Sequence, residues 1–384
     1  MLEAGPRWRA RFPSDLHVGR GVRAELARGP EGPWLLVSSR RGLAQAEGDA
    51  ALGPLLAERV EAYVDDVTSH PDAGWLEATA RRLRERGLRP AAVVGFGGGS
   101  ALDSAKVLAA LLAGDVHTPL EQRVREPIPL HQVRVPPVLA VATTAGSGSE
   151  VTPFATVWDA ARGRKLSLAH EAIRPILALV DADLMDTLPR AATIATGLDA
   201  INQAAESTWN RCATPVTLEL AGRALELGVP ALEQLLDDHG DRAARGALAE
   251  ASALAGLAIS HTGTALCHAM SYPLTAQHGV PHGIACAFTM AAVAAYVTAA
   301  DDGRLARVAA RLGERGGQGL ARRFAALQQR AGIAEQVRAD VGTLTALRCA
   351  VPGMLASERA GSLFIDVDAQ VVEGLLERAW GLDA

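Results

Sequence analysis

Two glycine- and hydroxyl-rich turns offer the clearest chemistry in this chain. Gly97, Gly98, Gly99 and Ser100 follow the apolar run Ala91–Gly95 and open a helical stretch. Consecutive glycines let a backbone approach a pyrophosphate, and the following helix would present free N–H groups and the positive end of its dipole. Ser100 reads as the N-cap of that helix. Asp103 and Lys106 come one turn apart, as a surface pair at i, i+3 or as the wall of a site. The second turn, Thr143 to Glu150 (TTAGSGSE), follows the apolar run Val138–Ala142. Open parallel sheets bind ligands where such strands end, so two cradles on neighbouring strands point to a dinucleotide, with Thr143, Thr144 and Ser147 as contact candidates. Further along, His268 and His282 lie fourteen residues apart. Taken alone, two separated histidines are more often core residues than metal ligands.

These residues need a scaffold. Trp34–Ser38, Ala91–Gly95, Val138–Ala142 and Ile176–Val180 read as strands, and Trp75–Arg86 and Ala101–Leu112 as helices. Strand and helix alternating at this spacing predict βαβ units and a mainly parallel sheet. Ala155–Trp158 and Arg164–Leu168 flank Ala161-Arg162-Gly163 as a small hairpin. Beyond Pro189 the patterns are Ala/Leu/Arg-rich and helical, ending with Gln370–Trp380. The reading is an α/β Rossmann-like domain over 1–185 and an all-helical domain over 186–384.

Composition narrows the function. Across 384 residues the net charge is −5 and the hydrophobic share is 49%, an ordinary globular balance. An acidic balance argues against nucleic acid as the main partner. No run reads as 18 uncharged apolar residues, so no membrane span is expected. The N-terminus mixes both charges without an apolar core, and Cys212, Cys267, Cys286 and Cys349 show no CxxC spacing. These features fit a cytoplasmic protein with buried thiols. Lys106 and Lys165 are the only lysines beside 36 arginines, so each retained ammonium merits inspection.

The combination GGGSxxDxAK (Gly97–Lys106), TTAGSGSE (Thr143–Glu150), GxDAxxxxxE (Gly197–Glu206) and H…PHG (His268–Gly283) resembles the iron-containing alcohol dehydrogenase family. The resemblance covers most of the chain. It implies a Rossmann-like N-terminal domain, a helical metal- and substrate-binding C-terminal domain (the dehydroquinate synthase-like architecture), and NAD(P)-dependent carbonyl reduction or alcohol oxidation by a homodimer. It also implies a metal held by Asp199, His268 and His282, with His282 at a helix start behind Pro281, facing the helix of His268. Oxygen and imidazole donors suit Fe(II), Zn(II) or Mn(II). Two positions depart from the family. Gln203 stands where a histidine usually follows the aspartate by four residues. An amide is a weaker ligand than imidazole, so a labile metal is expected. Tyr272 stands where many members carry another histidine. The proton donor would be Tyr272, His278 or water.

Several stretches, including Glu150–Asp159, Arg164–Leu168, Glu206–Asn210 and Ser271–Thr275, resemble phosphonoacetaldehyde reductases within that family. A phosphonate needs cations and hydroxyl donors. Thr152, Arg164, Arg211 and His261 are the substrate candidates, and Lys165 faces cofactor or substrate. Alternatives are a general short-chain alcohol or aldehyde dehydrogenase and a dehydroquinate synthase-like lyase, which would consume no reduced cofactor. An acidic residue commonly ends the first strand of an NAD site and binds the ribose. Here Ser39 stands there, followed by Arg40 and Arg41. A serine beside arginines would accept a 2′-phosphate, so NADPH is expected over NADH, with NADH still used.

Overall fold

The computed structural model describes residues 7–113, 120–125, 134–160, 162 and 164–381. Ala161 and Gly163 of the hairpin tip and the side chain of Arg164 lie outside the described residues.

Six strands form one parallel sheet: β1 (Asp15–Val18), β2 (Trp34–Val37), β3 (Val60–Val64), β4 (Ala92–Gly97), β5 (Val138–Ala142) and β8 (Leu177–Val180), in the spatial order β1-β8-β5-β4-β2-β3. β2, β4, β5 and β8 are buried along their whole length. That is why they read as continuous apolar runs: helices cover both faces of the sheet. Trp34 and Leu36 pack into one face, and Leu35 and Val37 into the other. The helix Arg40–Gly48 sends Ala46 to the first face, whereas the helix Gly99–Leu112 sends Ala105 and Leu108 to the second. The chain therefore changes direction between β2 and β4, leaving a crevice at their C-terminal ends. β6 (Phe154–Asp159) and β7 (Arg164–Ala169) form the expected hairpin, with Trp158 opposite Lys165.

Residues beyond 189 are helical. The long helices Arg190–Thr208, Pro215–Asp237 and Arg242–Thr262 pack on one another, followed by the shorter Leu266–His278, His282–Phe288 and Met290–Val297. Their apolar core runs without a break into Leu102, Ala140, Ala142 and Val180 of the sheet region.

Three expectations are corrected. Residues 283–300 contain no charged side chain, so a run of membrane-crossing length does exist. Over His282–Ala300 it breaks at Thr289 into separate helices and is 72% buried. Cys267 and Cys286 are buried as expected, but Cys212 and Cys349 are exposed. The N-cap of the Gly99 helix is Gly98 and not Ser100, which lies inside the first turn.

Candidate active site

The metal candidates come from three helices. On Arg190–Thr208, Asp199, Asn202, Gln203 and Glu206 recur every three or four residues and are all buried. Polar groups with that period share one helix face, and here the face points into the protein. His268 sits in the first turn of Leu266–His278. Glu206 fixes that turn, accepting from the backbone N–H of Ala265 at 2.9 Å and of His268 at 3.1 Å. It also accepts from His268 Nδ1 at 2.6 Å. The proton is thereby held on Nδ1, and Nε2 faces Asp199 Oδ1 at 3.5 Å. His282 is the first residue of its helix behind Pro281, and its ring stands edge-on to that of His268, 5.4 Å between centroids. Cys286, one turn after His282, places Sγ 3.6 Å from His282 Nε2.

Donor atoms of Asp199, His268, His282 and Cys286 all lie within 4.8 Å of one another. Asp199 Oδ1 and Gln203 Oε1 are buried without a hydrogen-bond partner. Buried lone pairs are almost always satisfied, so converging orphan acceptors beside two imidazoles fit a divalent cation. Burial opposes the Asp199 charge, but the adjacent imidazoles of His268 and His282 keep its carboxyl below the ordinary range. Burial likewise pushes the Cys286 thiol up, and His268 and His282 more than reverse this, leaving it at about 7.

Gly283 lets these helices meet. A Cβ there would come 1.8 Å from the carbonyl oxygen of Ala195 and 3.1 Å from Asp199 Cβ. Gly283→Ala should force the His282 and Asp199 helices apart. We expect a loss of about 1–3 kcal/mol of stability and weaker metal retention, checked by denaturant titration and elemental analysis.

The two glycine-rich turns lie against each other at the crevice. A Cβ on Gly98 would stand 3.0 Å from Thr144 Oγ1, and one on Gly99 2.8 Å from Ser147 Cβ. Thr143 donates its N–H to Gly97 O at 3.0 Å. The first turn of the Gly99 helix thus packs against Thr144 and Ser147 with no room for a side chain at Gly98 or Gly99, and a helix N-terminus carries free N–H groups suited to a phosphate. On the other side, Ser38 Oγ donates to Phe96 O at 2.7 Å and ties the end of β2 to that of β4. Ser39 caps the following helix, accepting from Gly42 N at 3.1 Å, and Arg40 is exposed beside it.

Asp103 and Lys106 do pair at i, i+3, Nζ to Oδ1 at 3.9 Å, but with Lys106 buried and not on the surface. Asp103 accepts from Ser149 Oγ at 2.5 Å and Thr156 N at 2.8 Å. Lys106 is fully buried and donates to Phe154 O at 2.8 Å and Thr152 Oγ1 at 3.2 Å. Together they fasten the second turn and the hairpin to the Gly99 helix. Thr152, with no exposed surface, belongs to this fastening.

Lys165 reaches from the hairpin across to the helical half. Its Nζ stands 4.2 Å from the centroid of the Tyr272 ring. Tyr272 lies one turn after His268, on the same side of that helix. Burial raises the Tyr272 hydroxyl, but Lys165, His268 and Arg359 outweigh it and lower its pKa. Sequence reasoning missed Arg359, which is remote in the chain, Cys286 as a member of the metal cluster, and Glu206 as the group that orients His268. His278 ends the Tyr272 helix. Arg211 and His261 take structural partners. Arg211 donates to Leu363 O and Asp366, and His261 Nε2 accepts from Arg11 N.

Residues 13–182 match the family described as iron-containing alcohol dehydrogenase, and 193–347 match the Fe-containing alcohol dehydrogenase family, C-terminal. The chain is 38% identical to phosphonoacetaldehyde reductase of Streptomyces viridochromogenes, over 74% of each protein. It is 34% identical to sulfoacetaldehyde reductase of Bilophila wadsworthia, over 51% of this chain and 50% of that one. In fold it matches an iron-containing alcohol dehydrogenase crystal structure at TM-score 0.84 and 26% identity, covering 98% of this chain and all of the other. Sulfoacetaldehyde reductase from Bifidobacterium kashiwanohense, in complex with NAD+, gives TM-score 0.86 at 24% identity, covering 99% of this chain and 100% of that one.

Proposed function

Because the chain belongs to the iron-containing alcohol dehydrogenase family, a family of oxidoreductases using a divalent metal and NAD(P), we propose that it reduces a short aldehyde bearing an anionic group. The substrate we propose is phosphonoacetaldehyde, reduced with NADPH to 2-hydroxyethylphosphonate. The observation that carries this reading is Lys165 over Tyr272, with Arg359 charged nearby, beside the metal cluster. An anion on the carbon next to a carbonyl would meet these cations while the carbonyl faces Asp199, His268 and His282. Relatives reducing phosphonoacetaldehyde and sulfoacetaldehyde support the same class, since both names describe a two-carbon aldehyde with an oxyanion.

When bound, the metal polarises the carbonyl and the nicotinamide supplies hydride. The chain's own residues do the rest. Glu206 holds the proton of His268 on Nδ1, so that Nε2 remains a donor to metal. The two glycine turns seat the pyrophosphate. The Tyr272 hydroxyl, kept acidic by Lys165, gives its proton to the developing alkoxide.

An NAD(P)H oxidation assay over phosphonoacetaldehyde, sulfoacetaldehyde and neutral aldehydes tests the reading. We expect the anionic aldehydes to be preferred. Equal efficiency with neutral aldehydes of similar size would return a general aldehyde dehydrogenase, and product formation without net cofactor oxidation would return a lyase. In the same assay kcat/KM should favour NADPH over NADH. Ser39→Asp should reverse that preference by placing a carboxylate against the 2′-phosphate. A clear preference of the unaltered enzyme for NADH would refute the assignment of Ser39 and Arg40.

A further inference from the structure

We propose that the thiolate of Cys286 is a direct ligand of the metal, supplying the strong donor that Gln203 does not. This rests on reading the cluster as a metal centre. Cys286 follows His282 by four residues on one short helix, so both side chains leave the same face. Its Sγ lies 3.6 and 3.7 Å from the two ring nitrogens of His282 and within 4.8 Å of the Asp199 and His268 donors. All four side chains are wholly or largely buried.

Donor count supports the assignment. Asp199 is the one anionic donor facing the cluster and Gln203 is neutral, while the Glu206 carboxylate sits behind His268 on Nδ1 and does not face it. A thiolate at Cys286 adds a second anionic donor. Unpartnered Asp199 Oδ1 and Gln203 Oε1 show independently that the cluster awaits a cation. On binding, the sulfur–metal bond forms as the S–H proton leaves to solvent, so the thiolate adds one released proton per metal. A soft sulfur donor also turns selectivity toward zinc over iron or manganese. The metal would then be tightly held, not labile as Gln203 alone suggests.

The test is Co(II) titrated into metal-stripped protein carrying Cys212→Ser and Cys349→Ser, which removes the exposed thiols. We expect visible d–d bands together with a near-ultraviolet thiolate-to-cobalt charge-transfer band. Cys267→Ala should keep that band. Cys286→Ser should lose it and bind cobalt about a hundredfold more weakly or worse, given that even outer-shell changes cost 10–100-fold. Cys286→Ala combined with Gln203→His should recover binding without the charge-transfer band. Should Cys286→Ser not fold, the band in the Cys286-containing protein and its survival in Cys267→Ala still decide the matter. Cobalt d–d bands without charge transfer would overturn thiolate ligation and leave the metal centre standing. No cobalt spectrum from folded protein would overturn the metal centre itself.

Discussion

Replacing His268 by alanine is expected to remove bound metal and to lower kcat/KM by about a thousandfold or more, which corresponds to about 4 kcal/mol of lost transition-state stabilisation. His268 contributes an Nε2 donor that Glu206 orients through its 2.6 Å contact with Nδ1. The same substitution leaves the Glu206 carboxylate, which has no exposed surface, without its imidazole. Stability should therefore fall as well, by about 3–5 kcal/mol if the carboxylate stays charged. Glu206→Gln separates the two effects. The imidazole remains but loses its charged partner, and metal affinity should drop by about 10–100-fold while the protein stays folded. Elemental analysis, circular dichroism and steady-state kinetics on the two variants read out each part. Full metal retention in His268→Ala would remove this residue from the centre.

The second large effect concerns substrate charge. Phosphonoacetaldehyde should be reduced at least about a hundredfold more efficiently than acetaldehyde, a difference of about 3 kcal/mol. A site built for an ionic group is left with unpaired charges when that group is missing. Lys165→Met should erase much of the preference, costing about 2 kcal/mol more against the anionic aldehyde than against acetaldehyde, while both lose what the acidified Tyr272 hydroxyl contributes. Arg359→Ala should act in the same direction. The loss should appear mainly in KM for the anionic substrate. An unchanged ratio of kcat/KM values in both variants would show that these cations do not touch the anion.

Much of the sheet was legible because its central strands are buried on both faces, which leaves unbroken apolar runs such as Val138–Ala142. The edge strands were not. Asp15–Val18 is four residues long and half-exposed, and Val60–Val64 alternates polar and apolar, so neither resembles the buried type. The glycine turns were legible as cradles, but their mutual contact through Gly98–Thr144 and Gly99–Ser147 depends on β4 lying beside β5. His268 and His282 were found through the family pattern. Cys286 escaped although it lies at i+4 from His282, because that pattern directs attention to histidine. Lys106 drew notice as a rare lysine. Its use became visible only with the hairpin folded over it, where a compact ammonium reaches Phe154 O and Thr152 in a fully buried space. Arg359 carries no local signal at all. Its charge reaches Tyr272 because the adjoining segment Ala360–Ser362 packs on the Leu266–His278 helix.

The most direct measurement is NADPH oxidation with phosphonoacetaldehyde before and after removal of metal. Enzyme stripped by a strong chelator, and shown metal-free by elemental analysis, should be inactive. Adding back Zn(II) or Fe(II) should restore turnover in proportion to the metal bound. Undiminished turnover by the metal-free enzyme would contradict the account, because the cluster of Asp199, His268, His282 and Cys286 would then have no part in reducing the carbonyl.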